Sequence, residues 1–105
     1  MTSEVHADGV AEVVMAHPPV NALPVAGWFA LAETLNRLGT QAEVRAVVLR
    51  AEGRGFNAGV DLKELQRSAD FTALLEVNRG CAAAFAAVYD CPVPVVAAVH
   101  GYCLG

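Results

Sequence analysis

The chain has 105 residues, which is the length of one small domain or of part of a larger one. Hydrophobic residues make up 55% of it and charged residues 17%, so the chain forms a core and is not disordered. The net charge of −4, without a cluster of Lys or Arg, excludes a general nucleic-acid-binding protein.

The first elements are a hairpin and a helix. Two short apolar segments separated by Asp8 and Gly9 predict a β-hairpin over residues 4–15. A Pro-Pro pair ends its second strand, because proline cannot donate to a sheet ladder. Apolar residues then recur at helical spacing and predict a helix from about Val25 to Leu38.

Later segments add strands. The apolar runs 46–50 and 95–99 each predict a strand that is buried on both faces. Strands that alternate with helices predict an α/β fold with a parallel sheet. A turn at residues 100–105 follows the last strand, and such a turn normally introduces another element. We therefore expect residues 1–105 to be the N-terminal portion of a larger domain.

Two helices are predicted between these strands. Asp61 and Glu64 approximate a capping box for a short helix. Asp70 can cap a longer helix that ends near Asp90, in which Gly80 is expected to mark a close helix contact. The stripe of this helix predicted to face the core comprises Phe71, Leu74, Leu75, Asn78 as a polar interruption, Cys81, Ala82, Phe85, Val88 and Tyr89.

Cysteine usage and the termini bear on location. Cys81, Cys91 and Cys103 form no C-x-x-C motif, so we expect small core residues and neither metal ligands nor a nucleophile. This usage suits a reducing compartment, and no secretory signal begins the chain, so we expect a cytoplasmic protein. No stretch is expected to span a membrane, since Arg79 and Asp90 interrupt the most apolar region.

Three segments carry motifs in a specific order. They are PVNAL at 19–23, VVLRAEGRGFNAGVDLKE at 47–64 and PVPVVAAVHGYCLG at 92–105. They resemble the segments P-x-x-N-A-L, V-V-L-x-G-x-G-x-x-F-[SA]-A-G-x-D-[LI]-K-E and K-P-[VI]-[IV]-A-A-[VI]-N-G-x-[AC]-x-G of the crotonase, or enoyl-CoA hydratase/isomerase, superfamily. The stretches 50–61 and 78–81 are more similar to actinobacterial members that act in steroid-ring catabolism.

The resemblance implies a fold and an intermediate. Members of this family consist of ββα repeats that assemble as trimers or paired trimers, and the chain resembles the first repeats. They bind acyl-CoA thioesters and stabilise the thioester enolate with two preorganised N–H donors. The backbone N–H of Val60 matches the first donor. The second would lie one position beyond Gly105, and the family's catalytic acids would lie further along.

The resemblance also implies contacts to coenzyme A, which is part of the substrate, with no tightly bound cofactor and no metal. Arg54 and Lys63 match contacts to the CoA phosphates, although both could equally be solvated surface charges. Asn21 is expected to bond its own loop, and Asp61 to cap a helix. The residues implied in the adenine and pantetheine pocket are Val20, Ala22, Leu62 and the small Ala58.

Several functions fit these residues. The first is hydration of a 2-enoyl-CoA in lipid catabolism, by a homo-trimer or hexamer that binds neither nucleic acid nor membrane. The second is retro-Claisen hydrolysis of a β-diketone CoA thioester in steroid-ring catabolism. The third is a truncated, non-catalytic CoA-binding or assembly module. A peptidase on the related ClpP-type scaffold is disfavoured, because no Gly-x-Ser-x-Gly-like nucleophile site is present.

Overall fold

A four-stranded sheet begins with the predicted hairpin. The computed structural model describes residues 1–68 and 70–105. Strands β1 (Thr2–Val5) and β2 (Val10–Met15) pair antiparallel, and β2 then pairs in parallel with β3 (Ala46–Ala51). Strand β4 (Val95–Ala97) pairs in parallel with β3, which gives the order β1-β2-β3-β4. The predicted α/β class, hairpin and parallel strands are confirmed.

Three helices accompany this sheet: α1 (Val25–Gly39), α2 (Leu62–Ser68) and α3 (Phe71–Tyr89). All three were predicted, with the ends of α1 and α3 within one residue. The buried side chains of α1 form one hydrophobic cluster with the inner faces of β2 and β3. These α1 side chains are Trp28, Leu31, Ala32, Leu35 and Leu38.

Strand β3 is buried on one face only and β4 is largely exposed, so the prediction that these two strands are buried on both faces is wrong. Alternate residues of β3, such as Val47, are buried, whereas Val48 and Arg50 are half-exposed. On this outer face Arg50 pairs with Glu12 of β2. Strand β4 is shorter than predicted and Val96 is 54% exposed, because β4 lies at an edge of the described sheet.

Helix α3 packs through its small residues. Gly80, Ala84 and Ala87 are buried, whereas Phe85 and Tyr89 of the predicted core stripe are exposed, so that prediction is wrong. The predicted close contact at Gly80 is confirmed: a Cβ atom built there would lie 3.1 Å from Cβ of Trp28 in α1. Small side chains permit this approach, whereas the larger apolar stripe would hold the helices apart.

Helix α3 is also long and apolar enough to cross a membrane by length and composition, contrary to the sequence prediction. Its two charged residues, Glu76 and Arg79, pair with each other at 2.8 Å. In the structure, the small residues of α3 pack against α1 within the folded domain.

We predict that Gly80→Leu lowers the free energy of unfolding of the natural protein by about 1–3 kcal/mol, because the added side chain overpacks the α1–α3 contact. Ala82→Leu is the matched control, since Ala82 is exposed on the same helix, and should change stability by less than about 0.5 kcal/mol. Denaturant unfolding measures both values. Equal effects of the two variants would contradict the close contact.

Candidate functional site

A loop at residues 53–61, which we call the Val60 loop, connects β3 to α2. On one side Leu23 N–H donates to the Gly59 carbonyl at 2.9 Å, and Asp61 N–H donates to the Leu23 carbonyl at 3.0 Å. On the other side Leu104 N–H donates to the Asn57 carbonyl at 2.9 Å. The loop therefore runs as a short extended segment between two neighbouring stretches of backbone.

These bonds orient the backbone N–H of Val60. The Gly59 carbonyl points at Leu23, and in a trans peptide the following N–H points the opposite way. Val60 N–H thus points away from Leu23, to the side on which residues 102–105 lie. The N–H groups of Gly59 and Asp61 are both bonded, whereas no acceptor within residues 1–68 and 70–105 takes that of Val60.

Gly59 lets two backbones meet beside this donor. Its φ is +88°, and a Cβ atom built on it would lie 2.9 Å from Cα of Gly105, whose own φ is +119°. A side chain at Gly59 would be both strained and in collision. The absence of a side chain at Gly59 therefore permits the close approach of the Gly105 backbone.

One cavity, which we call the loop cavity, lies between residues 17–22 and the segment that leads into α2. Its volume is about 270 Å³. Six of the seven residues predicted for the site line it, and Arg54, an exposed residue of the Val60 loop, does not. The six are Val20, Ala22, Ala58, Val60, Leu62 and Lys63.

The loop cavity also has walls that the sequence analysis did not assign to the site. His17 and Asp61 both line it. His17 stands before the Pro-Pro pair, and no spacing or motif considered in the sequence pointed to it. Asp61 had been given only its role as a helix cap, which is confirmed, since its Oδ1 accepts Lys63 N–H at 3.1 Å.

A second cavity, which we call the helix cavity, has a volume of about 290 Å³ and mostly apolar walls. Trp28 of α1 and Phe85 of α3 line it, together with Val60 and Gly105. Val60 is the one residue that lines both cavities. Its N–H therefore stands where a ligand occupying both cavities would pass.

Asn21 connects the stretch before α1 to the Val60 loop. It is buried, and its Oδ1 accepts His17 N–H at 2.7 Å, which confirms the predicted bond within its own loop. Its Nδ2 also donates to the carbonyls of Glu52 and Gly55, at 2.6 and 2.9 Å. Asn21 thus holds the start of the Val60 loop, a role that the sequence analysis missed.

Asn57 holds the other half of the loop and was also missed. It is 8% exposed; its Nδ2 donates to the Asn21 carbonyl at 2.7 Å and its Oδ1 accepts Gly59 N–H at 2.7 Å. These bonds fix the Ala58–Gly59 peptide, which comes directly before the Gly59–Val60 peptide. The available signal was an Asn in a position where the resembling family motif has Ser or Ala.

Glu64 connects α2 to α1 and forms only half of the predicted capping box: Asp61 Oδ1 accepts Glu64 N–H at 3.4 Å, but the Glu64 side chain does not accept Asp61 N–H. Its Oε2 accepts Val25 N–H at 2.8 Å, the first N–H of α1. Pro24, which precedes α1, has no side-chain acceptor for this end. The Glu64 side chain therefore caps the N-terminus of α1 instead of accepting the N–H of Asp61.

The remaining polar groups near the site have structural roles. Cys81 and Cys91 are half-buried and Cys103 is exposed, so the prediction of buried cysteines is wrong. Burial raises the pKa of the Cys81 thiol, which is protonated and a poor nucleophile at neutral pH. His100 Nε2 lies 2.8 Å from the Gly53 carbonyl. No group of three potential metal ligands occurs in the described residues.

Comparison with known proteins identifies the family that the chain resembles. The model of the enoyl-CoA hydratase/isomerase family matches residues 6–105. Over its whole length the chain is 56% identical to two proteins named (7aS)-7a-methyl-1,5-dioxo-2,3,5,6,7,7a-hexahydro-1H-indene-carboxyl-CoA hydrolase, from Mycobacterium tuberculosis and Rhodococcus jostii. The chain spans 42% and 41% of the lengths of these relatives.

A solved structure gives the same result. The crystal structure of enoyl-CoA hydratase from Mycobacterium smegmatis is 34% identical, with a TM-score of 0.88 over 95% of this chain and 39% of that one. The predicted crotonase-like fold is confirmed. The resemblance to actinobacterial steroid-ring-degrading members is also confirmed.

We predict that Asn57→Ala destabilises the natural protein by about 1–3 kcal/mol, because it leaves the buried Gly59 N–H unpaired and the Asn21 carbonyl with only its longer bond, from Ala58 N–H at 3.4 Å. Asn36→Ala removes the same amide from an exposed position of α1 and should change the free energy of unfolding by less than about 0.5 kcal/mol. Thermal and urea unfolding provide the comparison. A loss no larger than that of Asn36→Ala would refute the holding role of Asn57.

Proposed function

The chain belongs to the enoyl-CoA hydratase/isomerase family, and on this premise we propose that it binds an acyl-CoA thioester and stabilises the enolate with the N–H of Val60. The observation that carries the proposal is this N–H, which has no acceptor in the described residues and belongs to a residue that lines both cavities. A fixed donor of this kind stabilises an oxyanion strongly, because it needs no reorganisation when the negative charge develops.

In this proposal the two cavities divide the substrate. Val20, Ala22, Ala58 and Leu62 give the loop cavity small and apolar walls for the CoA moiety, and Lys63 adds a positive charge for its phosphates. The helix cavity, whose walls are mostly apolar, receives the acyl group. Coenzyme A is then part of the substrate and not a bound cofactor.

We propose C–C bond hydrolysis as the reaction, because the two relatives at 56% identity are named hydrolases of a bicyclic dioxo acyl-CoA. Water adds to a ring ketone and loses a proton, and the bond from that carbonyl carbon to its neighbour breaks. The ketone carbon becomes a carboxylate, and the released electron pair is delocalised onto the thioester oxygen beside Val60 N–H. Protonation of the resulting enolate at carbon completes the reaction.

Hydration of a 2-enoyl-CoA is the second candidate, supported by the name of the structural neighbour from Mycobacterium smegmatis. It shares the enolate, which here forms when water adds to the double bond. The lower identity of 34% makes it the weaker assignment. For either reaction we propose a cytoplasmic homo-trimer or hexamer, as the family resemblance implies.

The donor is tested by Val60→Pro in the natural protein. Proline has no N–H, so kcat should fall by about 10²–10³-fold, while CoA binding persists. Val60→Ala keeps the N–H and controls for the lost side chain; its kcat should stay within about 10-fold of the wild type. Circular dichroism verifies folding, and unchanged kcat in a folded Val60→Pro protein would reject the donor.

Products decide between the reactions. Both add water, so they differ in chemistry and not in added mass: hydrolysis of a bicyclic dioxo acyl-CoA creates a carboxylate, whereas hydration of crotonyl-CoA creates a 3-hydroxy group. Carbon-13 NMR distinguishes the two. Binding of CoA with no turnover of either substrate would favour the non-catalytic module.

Removal of single positive charges tests the proposed contact between Lys63 and the CoA phosphates. Lys63→Ala should weaken CoA binding by about 5–20-fold at low salt and flatten its salt dependence. Arg54→Ala removes the same charge from a residue that does not line the loop cavity, and a smaller loss is expected. Isothermal titration at two salt concentrations measures both. Equal CoA affinity of the Lys63→Ala and wild-type proteins would show that Lys63 is a solvated surface charge without a role in CoA binding.

A further inference from the structure

A buried donor on a residue that lines the helix cavity has no partner in the described chain. Trp28 is 8% exposed, water reaches less than 1 Å² of its Nε1, and no acceptor among residues 1–68 and 70–105 pairs with it. Buried N–H groups are nearly always hydrogen-bonded, and an unpaired one carries a desolvation penalty. Tyr102 Oη is also buried and unpaired, but Tyr102 lines neither cavity. Because Trp28 lines the helix cavity, a ligand bound there could supply the missing acceptor.

The indole has a fixed place in this wall. Gly80 of α3 approaches Cβ of Trp28 so closely that a built Cβ would lie 3.1 Å from it. Phe85 contacts the indole edge-on, with ring centroids 6.3 Å apart and an interplanar angle of 66°. A donor held in this way selects ligands by where their acceptor lies, since its own position is set by the packing of α1 against α3.

Of the other side-chain donors at the cavity, the thiols of Cys81 and Cys103 are weak donors, and the amide of Asn57 is already used. The side chain of Asn57 also lines it, but Nδ2 donates to the Asn21 carbonyl and Oδ1 accepts Gly59 N–H. Met15, Leu31 and Leu49 contribute apolar walls. Trp28 Nε1–H is therefore the side-chain donor still available to an acyl group that extends from Val60.

We propose that Trp28 determines acyl specificity by donating a hydrogen bond from Nε1 to a ketone oxygen of the acyl group bound in the helix cavity. This inference rests on the proposed function, because it requires an acyl group in that cavity. Since water barely reaches Nε1, the acceptor approaches only with a shift in the packing around the indole. Phe85, which is 66% exposed, has room for that shift.

The physical basis of the selection is the unpaired N–H. An acyl group that presents a methylene to the indole leaves the donor unsatisfied, whereas a ketone satisfies it in a place shielded from water. The difference corresponds to about 10–100-fold in affinity. The preferred ligands are thus oxo-substituted alicyclic acyl-CoA thioesters over their deoxo counterparts.

The test compares 3-oxo- and 4-oxocyclohexanecarboxyl-CoA with cyclohexanecarboxyl-CoA, which has the same ring without a ketone. In the natural protein, isothermal titration should give at least one oxo thioester an affinity about 10–100-fold above that of the deoxo compound. In Trp28→Phe this preference should fall to about 2-fold or less, whatever the loss of packing does to the affinity for the deoxo compound. Phe85→Leu is the control, and should weaken the oxo and deoxo compounds equally.

Replacement of Trp28 by β-(3-benzothienyl)alanine keeps the bicyclic shape and removes the N–H, so it tests the same point if Trp28→Phe does not fold. Retention of the oxo preference in either variant would overturn the inference, as would equal affinity of the wild type for all three thioesters. Both of these results leave the proposed function standing. Failure of every thioester to bind would instead refute the proposed function.

Discussion

The site depends on the hydrogen bond from Leu23 N–H to the Gly59 carbonyl. This bond directs the carbonyl of the Gly59–Val60 peptide toward the stretch before α1. Because the peptide is planar and trans, its Val60 N–H points in the opposite direction. Because both groups belong to one rigid unit, a single backbone bond sets the direction of the donor. The side chain of residue 60 takes no part in this alignment.

Two buried side-chain amides hold the loop that contains this peptide. Asn21 reaches the Glu52 and Gly55 carbonyls, and Asn57 connects the Asn21 carbonyl to Gly59 N–H. Buried hydrogen bonds of this kind are costly to break singly, because the partner left behind is cut off from water. Rigidity of the donor thus comes from neutral groups inside the loop, whereas the exposed charge of Lys63 can contribute to ligand attraction but not to this geometry.

Local signals in the sequence located the elements but not all of their surroundings. The Asp8-Gly9 turn and the helical spacing in α1 depend on neighbours in the chain, so hairpin and helix were predictable. The buried face of α3 was not predictable in this way, because it depends on contact with α1. Close packing there requires small residues such as Gly80, and the most apolar stripe of α3 lies on another face. Asn57 was missed for the same reason: its partners, apart from Gly59, lie far away in the sequence.

With a backbone donor, stabilisation of the intermediate and selection of the substrate depend on different groups. Any residue other than proline supplies the N–H at position 60, so the Val60 loop specifies which charge is stabilised and tolerates many acyl groups. Selection among acyl groups must then come from side chains, and those of the helix cavity stand on α1 and α3 as well as on the loop. The contact at Gly80 sets the distance between these two helices beside Trp28. A change in the packing of α1 against α3 would therefore alter substrate choice while the oxyanion donor stayed in place.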